Sequence, residues 1–185
     1  MVLRALAEAE KSIDFFPGWS KPDEEDGYTH FQAPLAVAGV TEAGLFLCGG
    51  AYQNLPDRHV TFEEVYLVAG GARRFKLMRI DWRSIRGGHT NHRRHGCFGC
   101  PRRTSDTHFH SFEVNWDDDK NRLRGQKLPC AADIPEALQS FEALREYVGK
   151  HFRINNIGLS RRLNGNISWG YDRATHDSGR SRAHR

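Results

Sequence analysis

At 185 residues the chain has the length of one domain and can bury well over half of its unfolded surface around a core that four Trp, eleven Phe and five Tyr would supply. No stretch approaches the roughly 18 to 20 consecutive apolar residues of a membrane-spanning helix, which excludes a helical membrane protein. The formal charge of +4 hides an asymmetry: from Arg73 to His110 ten Arg and Lys face only Asp81 and Asp106, a local +8 that attracts phosphate-bearing partners.

The opening Met1-Val2-Leu3-Arg4-Ala5-Leu6 meets Glu8, Glu10 and Lys11 before any long apolar run, so a cytoplasmic protein is expected. Leu3, Leu6, Ala7, Ala9 and Ile13 recur near a helical period and predict a short amphipathic helix over 2–13. After an acidic, turn-rich stretch at 20–27, four β-rich runs follow at 29–37, 44–51, 60–69 and 74–82, with turns expected at Glu42-Ala43-Gly44 and Gly70-Gly71-Ala72. Pro34 would place the first run at a sheet edge. A basic loop spans 83–106, and a fifth strand is expected over 107–116. A long helix is predicted over 133–152, with Asp133 as its N-cap, Pro135 in its first turn and Ala137, Leu138, Phe141, Leu144, Tyr147, Val148 and Phe152 on one face. The expected fold is α+β: about five mainly antiparallel strands with the long C-terminal helix on one face, in one domain over 1–158. Residues 159–185, rich in Arg, Asn, Ser and Gly, read as a disordered tail.

Five of the ten His and two of the four Cys fall between Gly87 and His110. Cys97-Phe98-Gly99-Cys100 followed by His108 and His110 offers two thiolates and two imidazoles, a chemically sensible set for zinc, with His89, His92 and His95 as further donors. Cys48 and Cys130 read as ordinary buried small residues. On a strand His108 and His110 share a face with Phe112 and Val114, where burial can tune imidazoles for acid/base work. Arg79 and Asp81 share a face of the preceding strand, and Gly87-Gly88 lets His89 and Asn91 reach its end, so Arg79, Asp81, His89, Asn91, His108 and His110 can converge on one cleft. Arg79 and Asp81 can equally form an ordinary ion pair.

The order Arg79-x-Asp81, Gly88-His89-x-Asn91, Thr107-His108-Phe109-His110-x-Phe112, with Leu128-Pro129, Ala131, Ser140-Phe141 and Tyr147 downstream, resembles small bacterial families of uncharacterised mechanism, some of them described as toxins of toxin–antitoxin pairs. The resemblance covers a little under half of the chain. It implies a small α+β protein with its histidines in one site and, by association, an activity against RNA. Cys97, Cys100 and a longer basic loop depart from that pattern.

Three functions compete. An RNase-like enzyme, a toxin or a defence or mobile-element protein, would use His108 and His110 as general base and acid, with Arg79 stabilising charge on phosphorus and no metal needed. A non-enzymatic nucleic-acid binder would use a zinc knuckle to shape the basic loop, with Arg86, Arg93, Arg94, Arg102 and Arg103 on phosphates and Phe98 for base stacking. A basic interaction or inhibitor protein would cover an acidic partner, such as an antitoxin. Nucleophile elbows, phosphate-binding loops, dinucleotide fingerprints and the His-Glu-x-x-His motif are absent from the sequence.

Overall fold

Period-two alternation builds the core of the molecule. The computed structural model describes residues 2–70, 73–125 and 127–160. Helix α1 (Val2–Glu8) leads into β1 (Lys11–Ile13), followed by four long strands, β2 (Tyr28–Val37), β3 (Val40–Tyr52), β4 (Val60–Leu67) and β5 (Arg74–Trp82). Then come the short strand β6 (His108–His110), one helical turn α2 (Phe112–Asn115), a small hairpin of β7 (Trp116–Asp117) and β8 (Arg122–Leu123), strand β9 (Ala132–Asp133) and helix α3 (Phe141–Phe152). Seven strands form one sheet in the order β1-β2-β3-β4-β5-β6-β9, and every pairing is antiparallel.

The α+β class with a large antiparallel sheet is as expected, but the sheet has seven strands rather than five. The additions, β1 and β9, are three and two residues long and too short to show a period. The N-terminal helix stops at Glu8 instead of continuing to Ile13, because Lys11–Ile13 pairs with Leu35–Val37. That pairing places β2 inside the sheet despite Pro34, whose irregularity is absorbed by a register shift before Ala36. The β2–β3 turn is Ala38-Gly39, both residues at positive φ, and not Glu42-Ala43-Gly44. Gly44 lies within β3, where a Cβ would stand 2.2 Å from the Leu67 carbonyl oxygen; its glycine serves close approach rather than a turn.

Helix α3 is shorter than the 133–152 expected. Its N-cap is Ser140, whose Oγ accepts the Ala143 N–H at 3.1 Å, whereas Asp133 belongs to β9. Phe141, Leu144, Val148 and Phe152 are buried, and Phe141 and Phe152 meet Phe62 and Phe109 across the sheet face. The expected strand over 107–116 is cut to three residues, because Ser111 caps α2 and turns Phe112 and Val114 out of the strand. Leu159 closes a 3-10 turn and Ser160 is buried, while the rest of the expected tail, 161–185, lies outside the described residues. Residues 71–72 of the expected glycine turn lie outside them too. No described helix is long and apolar enough to cross a membrane.

One Lys–Glu pair is enclosed by this core. Lys11 Nζ donates to the carbonyls of Leu6, Ala7 and Ala9 at 2.9 to 3.2 Å, holding the end of α1, and lies 3.5 Å from Glu64 Oε1. Burial without a hydrogen-bond donor raises the Glu64 carboxyl from its ordinary 4.5 to about 8, more than Lys11 lowers it. A folded-state value above the unfolded one contributes stability that is full below the unfolded value and is lost as pH rises through the folded value. Wild-type stability relative to Glu64→Gln is therefore expected to fall between about pH 5 and 8, measured by urea unfolding at several pH values. A pH-independent difference would show that Glu64 does not hold a raised value.

Candidate metal centre

Strand register assembles the site. Across β4, β5 and β6, Thr61 pairs with Asp81 and Asp81 with His108, while Glu63 pairs with Arg79 and Arg79 with His110. Directly paired residues share a face, so these six side chains form two adjacent rows on the face opposite α3. Asp81, 4% exposed, accepts from Arg79 Nε and Nη2 at 2.7 and 2.6 Å and from Thr61 Oγ1 at 3.0 Å. Burial raises its carboxyl, but the neighbouring His108 imidazole and the hydrogen-bonded Arg79 guanidinium outweigh burial and hold it well below the usual carboxylate range. Glu63 in turn pairs with Lys76, with Arg79 at 3.5 Å and with Arg74 at 3.7 Å.

The backbone fixes how each imidazole faces. His108 Nδ1 lies 3.0 Å from the Ser105 carbonyl oxygen and His110 Nδ1 2.8 Å from that of Leu128. A carbonyl can only accept, so Nδ1 carries the proton in both rings and Nε2 is turned toward Asp81. The His108 and His110 Nε2 atoms lie 3.4 and 3.7 Å from Asp81 Oδ2. His89 is reversed: its Nε2 donates to the Pro129 carbonyl at 2.8 Å, and its ring centre lies 4.8 Å from that of His110.

One segment, 128–133, orients all three rings. Leu128 and Pro129 supply two of the carbonyls, and the Asp133 carboxylate accepts the Ser105 N–H at 2.6 Å, placing the third. Asn115 brackets Cys130 with two hydrogen bonds, and Asn91 does the same for Ala131 while also donating to Pro101. Leu128 is held at φ +49°, a conformation costing about 1–3 kcal/mol for such a residue, with its side chain fully buried.

Burial lowers His110 to about 3, so its ring is neutral at physiological pH. Its Nε2 lone pair, the His108 Nε2 and the Asp81 oxygen all lie within 4.8 Å of one another. A proton can bridge only one imidazole to Asp81, whereas a cation bound by all three atoms satisfies the set. Donors at about 2.0–2.1 Å from a tetrahedral ion stand roughly 3.3–3.4 Å apart, close to the observed Nε2 to Oδ2 separations. The buried Asp81, His108 and His110 group can therefore hold a metal ion, and the backbone carbonyls behind both rings are the outer partners that metal-binding histidines use.

The expected zinc set of Cys97, Cys100, His108 and His110 is not assembled. Cys97 forms a disulfide with Cys130, 33 residues away, and Cys100 is a separate free thiol. Disulfides are favoured in oxidising surroundings, so the reading of the cysteines as reduced, and of Cys130 as an ordinary core residue, gives way. Spacing favoured Cys100 as the partner because Cys130 becomes a neighbour only when the chain folds back. Arg79, Asp81, His89, His108 and His110 do converge, but Asn91 is buried in backbone hydrogen bonds and is absent from the cleft lining.

The 83–106 loop folds back on itself: Thr90 bridges Arg103, and a Cβ on Gly88 would stand 1.7 Å from the Thr104 carbonyl oxygen. Arg86 lines the cleft; Arg93, Arg94, Arg102 and Arg103 are exposed outside it. Thr61, Glu63, Asn115 and Asp133 were missed. The polar alternation of Thr61 and Glu63 along β4 marked a polar face, but only register placed it beside Asp81.

The site lies on the floor of a cleft of about 940 Å³ lined by five Arg or Lys side chains and three carboxylates. No protein-family model, curated protein or solved structure matches the chain, so the site's own chemistry carries the functional argument.

Proposed function

We propose that this protein is a metal-dependent phosphodiesterase acting on RNA, with Asp81, His108 and His110 binding one divalent cation. The observation that carries this reading is the convergence of three buried acceptor atoms, two of them turned inward by backbone carbonyls, on the floor of a basic cleft. Three protein ligands with an open side match catalytic rather than structural zinc-type sites. When bound, such an ion supplies Lewis-acid polarisation and a nucleophile near neutral pH.

The chain's own groups divide the remaining work. Arg79 is committed to Asp81 and Glu63 and acts as an orienting group, not as the charge stabiliser on phosphorus expected from the sequence. Arg86 and Lys127 line the cleft and present cations to phosphate oxygens, while Arg74 and Lys76 line it as partners of Glu63. His89 also lines it, is held neutral by burial, and has Nδ1 as its acceptor atom, which suits it to take a proton. A metal-free scheme that uses His110 as the acid is disfavoured, since a group at about 3 holds little proton at neutral pH. RNA as substrate rests on the resemblance of the His/Asp pattern to toxin families and on the exposed arginines of the loop, which are equally suited to an acidic antitoxin.

Elemental analysis and cleavage of end-labelled RNA test this directly. Wild type is expected to retain about one equivalent of divalent metal, His108→Ala and His110→Ala to retain none, and chelation to stop cleavage reversibly. Cleavage that persists in chelator, or metal retained by both variants, would overturn the assignment.

A further inference from the structure

Away from the metal ligands, the same cleft has an aromatic end. Tyr52 and His59 line it, with ring centres 5.3 Å apart and planes tilted by 32°, and Tyr28 stands edge-on to Tyr52 at 5.3 Å. All three are partly exposed. His59 lies two residues before Thr61 and Tyr52 two residues after Gly50, which pairs with Thr61 in register. The Tyr52 backbone, at the end of β3, is thus one pleat repeat, roughly 6–7 Å, beyond the Thr61–Asp81 row and two strand spacings of about 4.8 Å from β5, with the His59 ring beside it. That span matches the reach from a phosphate across its sugar to a base.

His59 is held there against its preferences. It is at φ +55°, a strained conformation for a residue with a Cβ, of the kind found at ligand clamps. Its backbone N–H donates to the Arg83 carbonyl, and the Ile85 N–H donates to its Nδ1 at 3.3 Å. Nδ1 therefore accepts, and the neutral ring, kept so by burial, carries its proton on Nε2 as a donor.

We propose that Tyr52 and His59 form a nucleobase subsite that stacks the base of a nucleotide whose phosphate lies toward Asp81. This rests on the reading of the cleft as a nucleic-acid site, but it concerns binding and needs no cleavage. Two rings tilted toward each other on one side of a polar cleft offer an aromatic face to any base, with Nε2–H of His59 as a hydrogen-bond donor to the base edge or sugar.

The test is equilibrium binding of each of the four ribonucleoside monophosphates, with ribose 5-phosphate and inorganic phosphate as probes that lack a base, to wild type, Tyr52→Ala, Tyr52→Phe and His59→Asn. Asn tolerates the positive φ, so that variant removes the ring without forcing the backbone. Nucleotides are expected to bind wild type about five- to 150-fold tighter than ribose 5-phosphate, the range that stacking one base supplies. Tyr52→Ala and His59→Asn should lose most of that advantage, Tyr52→Phe should keep it, and inorganic phosphate should bind all four proteins alike. Equal binding of nucleotides and ribose 5-phosphate to wild type would overturn the subsite, and so would a loss of phosphate binding in Tyr52→Ala matching its loss of nucleotide. Cleavage of RNA by a metal-loaded protein alongside the first of these would leave the phosphodiesterase standing; tighter binding of nucleotides than of ribose 5-phosphate without cleavage of RNA would support the subsite and remove the phosphodiesterase.

Discussion

Asp81→Asn is expected to abolish metal binding and to lower RNA cleavage by about 10³-fold or more, while the protein stays folded. Loss of an outer partner of a metal ligand already costs roughly 10- to 100-fold, and Asp81 is proposed as a ligand itself. The amide that replaces the carboxylate keeps nearly the same shape but loses the charge that faces both Nε2 atoms and receives two hydrogen bonds from Arg79. Arg79→Ala, by contrast, should fall within that 10- to 100-fold range and weaken metal affinity without abolishing it. Metal titration and single-turnover cleavage on the two variants, with circular dichroism to confirm the fold, separate these effects. An Asp81→Asn protein that binds metal as wild type would remove Asp81 from the ligand set and with it the proposed centre.

The largest effect on stability is expected far from the cleft, at Lys11. Its ammonium donates to three carbonyls at the end of α1, two of them through fully buried contacts, and its side chain is completely enclosed. Lys11→Met keeps the volume and the apolar stem but leaves those three carbonyls without a donor and Glu64 without its neighbouring ammonium. At about 1–3 kcal/mol for each buried group left unsatisfied, with partial relief by water at the helix end, the loss should be about 3 to 5 kcal/mol. For a chain of this size that lowers the melting temperature by roughly 6 to 20 °C. Urea unfolding of wild type and Lys11→Met near neutral pH measures it, and a loss below about 1 kcal/mol would mean that the three carbonyls do not depend on Lys11.

Several parts of this molecule are legible in the amino-acid sequence. The four long strands β2 to β5 fall within a few residues of the runs of β-rich composition, because an alternating half-buried strand writes its period into the chain. The apolar face of α3 was equally clear from Phe141 to Phe152, although its start was misplaced: Asp133 and Pro135 are acceptable opening residues for a helix, and only the claim of β9 on Asp133 and of Ser105 on its carboxylate excludes them. Arg79, Asp81, His89, His108 and His110 were singled out as chemistry-bearing types clustered in sequence, and all five line one cleft.

The cysteines show the opposite case. Cys97 and Cys100 have the spacing of a knuckle, and spacing is all that a sequence offers; the pairing of Cys97 with Cys130 depends on the 128–133 segment passing over the basic loop. The same passage demoted Asn91 from a candidate catalytic group to a brace for Ala131 and brought in Asn115 and Asp133, which no motif marked.

The sequence by itself determined the local matters: a sheet-rich α+β chain, a basic stretch from Arg73 to His110, and the residue types of the site, since propensity, period and charge are properties of neighbouring residues. Tertiary structure alone decided the chemistry available to those residues. Register set Asp81 beside His108, and carbonyls from a distant segment chose which nitrogen of each imidazole carries its proton. Burial then removed the charge from His110. Each of these depends on distances between groups far apart in the chain, which hydrogen bonding and desolvation fix only once the fold has closed.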